Sequence, residues 1–455
     1  MKILHLPVAY LPWITGGREV YCHSLCRALA PHGIECVVAI HQNPHVGEPL
    51  GWHEHEGIPV AVLPPLPELN SRKSFYTREF QELPGFEALL ADVQPDLVHF
   101  HDQSGGASLS HLKRVKALGL PAVVTYHSPG QTCLQSALLR EGRIPCDGKV
   151  DASRCTSCRL MATGMPRIAS HILAAIEWPG INPWSESRVA RVLSARTMTR
   201  TFQDSLHAFM RLSDAIVVLA AWSRDVWLLN QCPPEKLRLV RTGRPRAADA
   251  MPTAPRYPQR PTLRIGCIGR CDPIKGFNFL IDAIKSLPDL PLEVHFLGPY
   301  WDQAYGDELK RKISSDRRFL PPRLVPNAEL VAVLADLDVV VIPSIWPETG
   351  PLVLFEAYAA GVPVVASRLG GPAELVRDGV DGRLFAPGDA MALAKIIAEF
   401  SSHPASLENL RKGIRQEGAR FRRTFDEVAK EMASIYSELL KQPTAIEGGT
   451  LPLPA

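Results

Sequence analysis

The chain has 455 residues, of which 46% are hydrophobic and 21% are charged, and its formal net charge is +3. A chain of this size and composition can bury two or three cores, and its charge is too small to indicate a nucleic-acid partner. It contains no apolar run of the roughly 18 to 20 residues that a transmembrane helix needs.

The N-terminal stretch MKILHLPVAYLPW is interrupted by prolines and lacks a small-residue cleavage site. We therefore expect a first core strand there rather than a signal peptide. Without export, the 10 cysteines are expected to be reduced thiols or metal ligands in a cytoplasmic protein.

Short apolar or β-branched runs alternate with helix-length amphipathic segments along most of the chain. In chain order, the predicted strands are KILHLPVA, ECVVAI, PDLVHFH, AVVTYH, AIVVLA, LRIGCIG, LEVHFLG, LDVVVIP and PVVAS. Continuous apolar strands between helices indicate parallel sheets covered on both faces. The sequence thus predicts an α/β chain with two doubly wound, Rossmann-like domains facing a cleft.

The predicted N-terminal domain spans residues 1–242 and the C-terminal domain spans 263–424. A linker rich in Pro and Ala is predicted between them at 243–262. A last helix is predicted over 425–441, packing back on the N-terminal domain. Residues 442–455 show no periodicity and are predicted to be disordered.

Candidate ligand contacts follow two strands of the first domain. Gly16 and Gly17 precede a helix, where a glycine backbone lets a ligand approach unpaired helix N–H groups, although Gly-Gly by itself indicates only a turn. His127 ends the strand AVVTYH on the cleft side, in a position where a histidine is either structural or functional. His99 and His101 end another strand and are interpreted as loop anchors.

An irregular segment over residues 128–160 contains four cysteines. They are Cys133, Cys146, Cys155 and Cys158, and the last two have the CxxC spacing of a zinc knuckle. A structural zinc ion bound by four thiolates would give this loop folding energy that its small core cannot supply. The alternative is four unrelated reduced thiols, or a redox-labile CxxC pair.

The stretch from Arg154 to Arg211 is rich in arginine and can form basic amphipathic helices. Such a surface suits a lipid diphosphate or an anionic membrane face. The alternative is an ordinary solvated helix face.

Two cations follow the first strand of the second domain. Arg270 leaves the strand LRIGCIG, and Lys275 with Gly276 directly precedes a helix that begins near Phe277. Cations beside a helix N-terminus form an anion site that would fit a diphosphate. The alternative is that both are solvated loop charges.

Two acids lie in the stretch WPETGPLVLFEA. Glu348 is on the loop before a short helix whose first N–H groups, near Leu352 and Val353, can meet a phosphate. Glu356 lies one turn inside that apolar helix, where a buried carboxylate needs hydroxyl or cation partners. The two hydroxyls of a ribose would satisfy it; the alternative is a structural ion pair with Arg368.

The motifs GRCDPIKG, PSIWPETGPLVLFEAYAAGVPVVAS and GGPAELVRDGVDGRLF, spread across residues 263–390, resemble the signature of retaining GT-B glycosyltransferases of the family 4 (glycosyl transferases group 1) type. The spacing from Glu348 to Glu356 matches that family's E-x7-E motif. Many members have Phe-Gly after the first acid, whereas this chain has Gly350 and Pro351. Pro351 has no N–H, so one donor-phosphate hydrogen bond is expected to be missing or moved to Leu352.

The resemblance implies roles for these residues. Arg270 and Lys275 would hold the diphosphate, Glu356 the ribose, and Glu348 the hydroxyls of the transferred sugar. His127 resembles the family histidine over the donor sugar. The implied catalytic residues are His127, Arg270, Lys275 and Glu348. The implied donor-binding residues are Gly16, Gly17, Arg270, Lys275, Glu348, Leu352, Val353 and Glu356.

The function implied by the resemblance is that of a retaining Leloir glycosyltransferase in polysaccharide or glycolipid biosynthesis. It would move a sugar from a UDP-, GDP- or ADP-sugar to the hydroxyl of a sugar or lipid-linked sugar, without a cofactor for catalysis. A cytoplasmic protein with peripheral contact to the inner membrane face is expected. The alternative function is a non-catalytic GT-B-like subunit that supports a partner transferase.

Overall fold

The two halves of the chain form separate parallel sheets in the computed structural model. The structure describes residues 1–14, 16–67, 69, 71–103, 106–142, 144–244, 261–416 and 423–441. Most of the predicted linker, at 245–260, and all of the predicted tail, at 442–455, lie outside the described residues.

The N-terminal half contains one large sheet and one short hairpin. Its strands are β1 (Lys2–Leu6), β2 (Glu35–His41), β3 (Gly51–His55), β4 (Ile58–Leu63), β5 (Leu97–His101), β6 (Ala122–Tyr126), β7 (Leu139–Arg140), β8 (Ile144–Pro145), β9 (Ala215–Val218) and β10 (Leu237–Leu239). The described strands of the large sheet have the order β10-β9-β6-β5-β1-β2-β4-β3. Neighbours are parallel except β3 and β4, and β7 pairs with β8 separately.

Helices cover both faces of this sheet. They are α1 (Gly17–Leu29), α2 (Arg72–Thr77), α3 (Phe86–Val93), α4 (Leu109–Ala117), α5 (Ala152–Ala162), α6 (Arg167–Ala175), α7 (Arg188–Leu193), α8 (Ala195–Leu212) and α9 (Ala221–Leu229). The central strands β5, β6 and β9 are buried along their whole length. That burial explains why these strands are continuous apolar runs in the sequence.

The C-terminal half contains a smaller, fully parallel sheet. Its strands are β11 (Leu263–Ile268), β12 (Leu292–Leu297), β13 (Val339–Ile342), β14 (Val364–Ser367) and β15 (Gly382–Phe385). Its helices are α10 (Phe277–Lys285), α11 (Ala304–Ile313), α12 (Asn327–Ala335), α13 (Leu352–Ala359), α14 (Gly370–Leu375), α15 (Ala390–Ser402) and α16 (Pro404–Gln416), and α17 (Phe425–Lys441) ends the described chain. The predicted doubly wound α/β architecture is confirmed.

The C-terminal sheet has the strand order β12-β11-β13-β14-β15. The chain places β12 on one side of β11 and all later strands on the other side, so the direction in which strands are added changes between β11 and β13. The loops after these two strands meet at this switch point, where open α/β sheets bind ligands. Gly276 brings the loops into contact: its φ is +71°, and a Cβ atom there would lie 2.0 Å from the carbonyl oxygen of Pro343. Only glycine fits this position without moving one of the loops.

Each apolar run that was predicted as a strand forms one. The sequence missed the edge strands β3, β10 and β15, the hairpin strands β7 and β8, and the interior apolar strand β4. β3, with the sequence GWHEH, is mostly exposed and carries polar side chains. An edge strand of this kind lacks the apolar signal on which the prediction depended.

The last helix, α17, returns to the N-terminal half. Its apolar face, including Val428 and Met432, shares a core cluster with Ile3 and Leu25. Tyr436 Oη lies 2.7 Å from Nδ1 of His99. The last described helix therefore packs on the N-terminal half.

A carboxylate of the C-terminal half caps a helix of the N-terminal half. Helix α9 has no side-chain cap of its own. Glu374 on α14 instead accepts hydrogen bonds from the backbone N–H groups of Ala221 (2.9 Å) and Trp222 (2.8 Å). The same carboxylate pairs with Arg241 at 2.8 Å. Because capping carboxylates favour helix N-termini, this contact holds the halves together.

Replacing Glu374 with alanine is expected to open the cleft without unfolding either half. The loss of a capping carboxylate costs about 1 kcal/mol, enough to shift a closed pair of domains toward open ones. Small-angle X-ray scattering should show a larger radius of gyration, with an unchanged circular dichroism spectrum. Glu399→Ala is the matched control, since Glu399 pairs with Arg383 inside the C-terminal half. Equal radii of gyration for Glu374→Ala and Glu399→Ala would contradict the role of this contact.

Candidate functional site

A buried ion pair lies at the switch point of the C-terminal sheet. Nζ of Lys275, from the loop after β11, is 3.0 Å from Oε1 of Glu348, from the loop after β13. Glu348 is 7% exposed and also accepts a hydrogen bond from the hydroxyl of Ser344. The Lys275 ammonium lies 5.3 Å from the ring centroid of Trp346. The structure thus brings two of the predicted site residues into direct contact.

Two glycines of α14 position the loop that carries Glu348. The N–H of Gly371 donates to the carbonyl oxygen of Glu348 at 2.6 Å. Gly370 has a φ of +60°, and a Cβ atom on it would lie 2.7 Å from the backbone nitrogen of Glu348. The motif GGPAEL therefore supports the acid through backbone packing that a side chain would prevent.

Arg270 and Lys275 occupy different environments. Arg270 is exposed, and its Nε is 3.5 Å from the carboxylate of Asp272. Lys275 is largely buried in its ion pair with Glu348. The alternative of a solvated loop charge therefore describes the present position of Arg270 but is wrong for Lys275.

Glu356 is a partly buried carboxylate on the apolar helix α13. Burial raises the pKa of Glu356 to about 7. Among the described residues, no hydrogen-bond or ion-pair partner is found for it. The structural alternative, a pair with Arg368, is wrong, because Arg368 pairs with Asp378 at 2.5 Å. A carboxylate in this position is suited to accept hydrogen bonds from a bound ligand.

The N-terminus of α13 begins beside these acids. Pro351 precedes the helix as its N-cap, and the first intrahelical bond runs from the N–H of Leu354 to the Pro351 carbonyl at 3.0 Å. The N–H groups of Leu352 and Val353 belong to the first turn, which offers unpaired donors. The Leu352 side chain packs against the N-terminal core together with Trp13.

The predicted glycines of the N-terminal half begin α1. Gly16 is the N-cap of this helix. A Cβ atom on Gly16 would lie 2.5 Å from a carboxylate oxygen of Glu19, whereas one on Gly17 would meet nothing within 4 Å. Arg18 pairs with Glu19 at 3.0 Å and with Asp102 at 3.3 Å. A phosphate here would meet the carboxylate of Glu19, so this terminus suits a hydroxyl group better than a second negative charge.

His127 lies where the two halves meet. Its backbone carbonyl accepts a hydrogen bond from Oγ1 of Thr349 at 3.3 Å, the residue after Glu348. Its backbone N–H donates to Asp102 at 2.7 Å, and its ring packs edge-on against Tyr21. Burial, with a smaller contribution from Arg18, lowers the pKa of His127 well below its usual value. His127 is therefore neutral at physiological pH.

The ring of His127 ends a line of hydrogen-bonded histidines. Nε2 of His127 is 3.1 Å from Nδ1 of His101, and Nε2 of His101 is 3.0 Å from Nδ1 of His5. His99 and His101, interpreted from the sequence as loop anchors, are fully buried. Burial lowers the pKa of both well below its usual value.

Sequence reasoning missed His5 and Asp102 as parts of this region. The signal was present, because the neighbouring strands KILHL, LVHFH and AVVTYH all carry a histidine at or near their carboxyl ends. Asp102 directly follows the second of these strands and holds the loop after the third through His127 and Ser128. Recognising the group required the strand order β6-β5-β1, which the sequence did not provide.

The four cysteines of the loop 128–160 are not gathered as metal ligands. Among the described residues, the groups of three ligand atoms within 4.8 Å of one another do not include Cys133, Cys146, Cys155 or Cys158. The thiol of Cys155 faces the carbonyl of Lys149 at 3.9 Å, and that of Cys158 faces the carbonyl of Leu139 at 3.8 Å. The thiol of Cys133 interacts electrostatically with each of the other three. Zinc binding by this loop stays a prediction.

The arginine-rich stretch forms helices α5 to α8. Several of its arginines pair with acids, including Arg154 with Asp147 and Arg200 with Glu177. Helix α6 carries an exposed apolar stripe, with Ile168 76% exposed and Ile172 56% exposed. Within the described part of the chain, the helices are all too short or too polar to cross a membrane.

Two family models match the chain, one on each half. Residues 15–148 match Glycosyltransferase Family 4, and residues 262–403 match Glycosyl transferases group 1. The second match contains Arg270, the Lys275–Glu348 pair and Glu356.

Curated relatives match over part of their length. A D-inositol 3-phosphate glycosyltransferase of Corynebacterium urealyticum is 33% identical over 192 residues, which are 39% of this chain and 44% of that protein. A glycogen synthase of Mycobacterium tuberculosis is 29% identical over 234 residues, 50% of this chain and 55% of that protein. The chain thus spans about half the length of the curated relatives it matches.

Solved structures match over nearly the whole chain. Anabaena Alr3699/HepE in complex with UDP has a TM-score of 0.63 at 18% identity, with 96% of this chain and 100% of that chain covered. A glycosyltransferase from Rickettsia africae has a TM-score of 0.64 at 13% identity, covering 97% and 99%. These likenesses show a common fold. The fold is the GT-B fold, and the matches to the two halves show that the chain is built from a Glycosyltransferase Family 4 domain and a Glycosyl transferases group 1 domain.

Proposed function

We propose that the chain is a glycosyltransferase that moves a sugar from a nucleoside diphosphate to an acceptor hydroxyl with retention of the anomeric configuration. The observation that carries the proposal is Glu356, a partly buried carboxylate without a partner among the described residues, close in sequence to a buried Lys275–Glu348 pair at the switch point. Solved structures of the same fold bind UDP and UDP-glucose, which supports a nucleotide-sugar donor. Synthesis of a polysaccharide or glycolipid is the proposed context.

In the proposed donor site, different residues bind the ribose, the transferred sugar and the diphosphate. Glu356 accepts hydrogen bonds from the ribose hydroxyls, and Glu348 accepts them from the transferred sugar. The Lys275 ammonium has three N–H donors, of which one serves Glu348 and the others are available to the diphosphate. Arg270 and the first N–H groups of α13 add positive potential at the same place.

The proposed reaction follows a front-face course. The bond between the anomeric carbon and the diphosphate oxygen breaks, and the acceptor oxygen forms its bond to the same face of that carbon. The acceptor proton passes to the departing diphosphate oxygen, so no protein nucleophile is needed. Lys275 and the helix terminus stabilise the charge that develops on the leaving group. His127, kept neutral by burial, donates or accepts a hydrogen bond at the sugar but carries no charge.

A survey of nucleotide sugars tests the function directly. The full chain is incubated with UDP-, GDP- and ADP-sugars and with sugar or lipid-linked acceptors, and release of the nucleoside diphosphate is measured. Release from one donor that depends on Lys275 and Glu348 supports transfer. Binding of a nucleoside diphosphate without release from any donor and acceptor would favour the alternative of a non-catalytic subunit.

Nucleotide affinity is expected to fall as the pH falls through about 7, because Glu356 must be ionised to accept both ribose hydroxyls. One pH unit below this pKa, about a tenth of the chains retain the carboxylate, which reduces affinity by up to about tenfold. The diphosphate also titrates in this range, so calorimetry should compare wild type with Glu356→Gln. The variant should bind more weakly and lack this part of the pH dependence. Parallel pH profiles would contradict the role of Glu356.

Lys275 and Glu348 are expected to act as a coupled pair. Lys275→Ala should weaken diphosphate binding and raise the transfer barrier by about 3 kcal/mol, whereas Glu348→Gln should mainly slow transfer. Either change already breaks their ion pair, so the double variant should lose less transition-state stabilisation than the sum of the two. Turnover measurements on wild type, the two single variants and the double variant give the coupling free energy between Lys275 and Glu348. Effects that add to within about 0.5 kcal/mol would show independent roles.

We further propose that the N-terminal half meets the acceptor and that α6 contacts an anionic membrane surface. Ile168 and Ile172 lie one turn apart on α6, so their exposed side chains form one stripe. Arg167 begins α6 and is 72% exposed although it lies 3.7 Å from Glu141, and Arg188 begins α7. Both would attract anionic headgroups. An apolar stripe beside basic residues is typical of helices that lie in a membrane interface.

Changing Ile168 and Ile172 to serine should reduce binding to phosphatidylglycerol vesicles by about tenfold or more, because each buried isoleucine contributes about 1.5 to 3 kcal/mol. Vesicle co-sedimentation measures this binding. Leu324→Ser is the control, since Leu324 is 71% exposed in the C-terminal half. Equal binding by wild type and both variants would rule out α6 as the contact.

A further inference from the structure

Three thiols and one imidazole form a cluster in the N-terminal core. Cys22 and Cys26 lie one turn apart on α1, Cys36 lies on β2 and His5 lies on β1. The most exposed of the four, Cys36, is 5% exposed, and the others are fully buried. The proposed transfer reaction assigns no role to these side chains.

Three ligand atoms of the cluster are already close together. Those of His5, Cys26 and Cys36 all lie within 4.8 Å of one another. Cys22 belongs to a second group of ligand atoms within 4.8 Å of one another, with His5 and His101, and can supply a fourth ligand. In a tetrahedral zinc site with Zn–S bonds of about 2.3 Å, neighbouring sulfurs are about 3.8 Å apart. Completing the coordination therefore requires the Cys22 thiol to turn toward Cys26 and Cys36.

The His5 ring supplies an independent observation. Its Nε2 is buried and has no hydrogen-bond partner among the described residues. Its other nitrogen, Nδ1, is 3.0 Å from Nε2 of His101. Histidines that bind a metal through one nitrogen are usually held by a hydrogen bond through the other, and His5 has this arrangement.

We propose that His5, Cys22, Cys26 and Cys36 bind one structural zinc ion. Thiolate and imidazole ligands favour zinc, and four protein ligands make a closed site rather than a catalytic one. Binding replaces three thiol protons, which leave to solvent, with three sulfur–zinc bonds. The ion ties α1 to β1 and β2, the elements that carry the N-terminal wall of the cleft.

Metal binding also sets the proton positions along the histidine line. With Nε2 on zinc, His5 carries its proton on Nδ1 and donates it to His101. His101 then donates from Nδ1 to Nε2 of His127. His127 is thereby left with its own proton on Nδ1, so the buried ion fixes the tautomer of a residue at the cleft.

X-ray absorption spectroscopy of the purified, reduced full chain tests the proposal without mutation. Three sulfur ligands and one imidazole nitrogen around one zinc ion per chain are expected. Four sulfur ligands would assign the metal to the loop cysteines and overturn the proposal. A second measurement records the absorption spectrum of protein grown with cobalt, in which thiolate-to-cobalt charge transfer is expected. The proposal would also be overturned if the protein contained no zinc and this charge transfer were absent.

Variants distinguish the two groups of cysteines. Cys26→Ala with Cys36→Ala should lower the zinc content from about one per chain to about a tenth or less, whereas Cys155→Ser with Cys158→Ser should leave one ion. Cys267→Ala, which removes a buried thiol of the C-terminal half, should also leave the content unchanged. Loss of the ion only in the loop variant would refute the proposal. If the core variant does not fold, the ligand count from the wild-type spectrum decides.

Discussion

The buried ion pair between Lys275 and Glu348 is the interaction on which the cleft of the C-terminal half depends. Removing two charges from water is costly, and the cost is offset only when each charge keeps close partners. Glu348 has both Lys275 and Ser344, and the Lys275 ammonium also lies over Trp346. The pair can form because Gly276 lets the loop after β11 touch the loop after β13. A polar centre of this kind, with ammonium donors left over, is well suited to an anionic ligand.

The contacts between the halves are built from the same loop. Its Glu348 carbonyl accepts a hydrogen bond from the indole N–H of Trp222 at 3.0 Å, and Thr349 donates to the carbonyl of His127. Glu374 adds the missing cap of α9. Residues that we propose to bind the donor are therefore tied to residues that hold the cleft closed. Donor binding and domain closure are expected to influence each other, because both act on one short segment.

Much of the fold and part of the candidate site could be predicted from the sequence. Apolar strands between amphipathic helices indicate the doubly wound architecture. Lys275 and Glu348 each follow a strand of the second domain and Glu356 lies in the helix after Glu348, so the sequence indicates polar residues at one edge of that sheet. Contacts between distant segments could not be predicted. The cap that Glu374 provides to α9 and the line from His5 to His127 depend on the strand order and on how the halves meet.

The wrong ion-pair assignment has the same origin. Pairing of Glu356 with Arg368 was chemically reasonable, but Arg368 pairs with Asp378 instead. Zinc binding by the loop cysteines, suggested by the CxxC spacing, stays a prediction, whereas among the described residues Cys26 on a helix, Cys36 on a strand and His5 do form a group of ligand atoms within 4.8 Å of one another. Metal-ligand spacing along the chain is informative only where one local segment supplies the ligands.

A crystal structure of the full chain with bound uridine diphosphate tests the central claim most directly. The account predicts that the diphosphate oxygens lie within hydrogen-bond distance of Lys275 and of the first N–H groups of α13. It also predicts that Glu356 accepts the ribose hydroxyls while Glu348 stays paired with Lys275. A nucleotide bound elsewhere, or bound in the cleft with Glu356 still without a partner, would contradict the account.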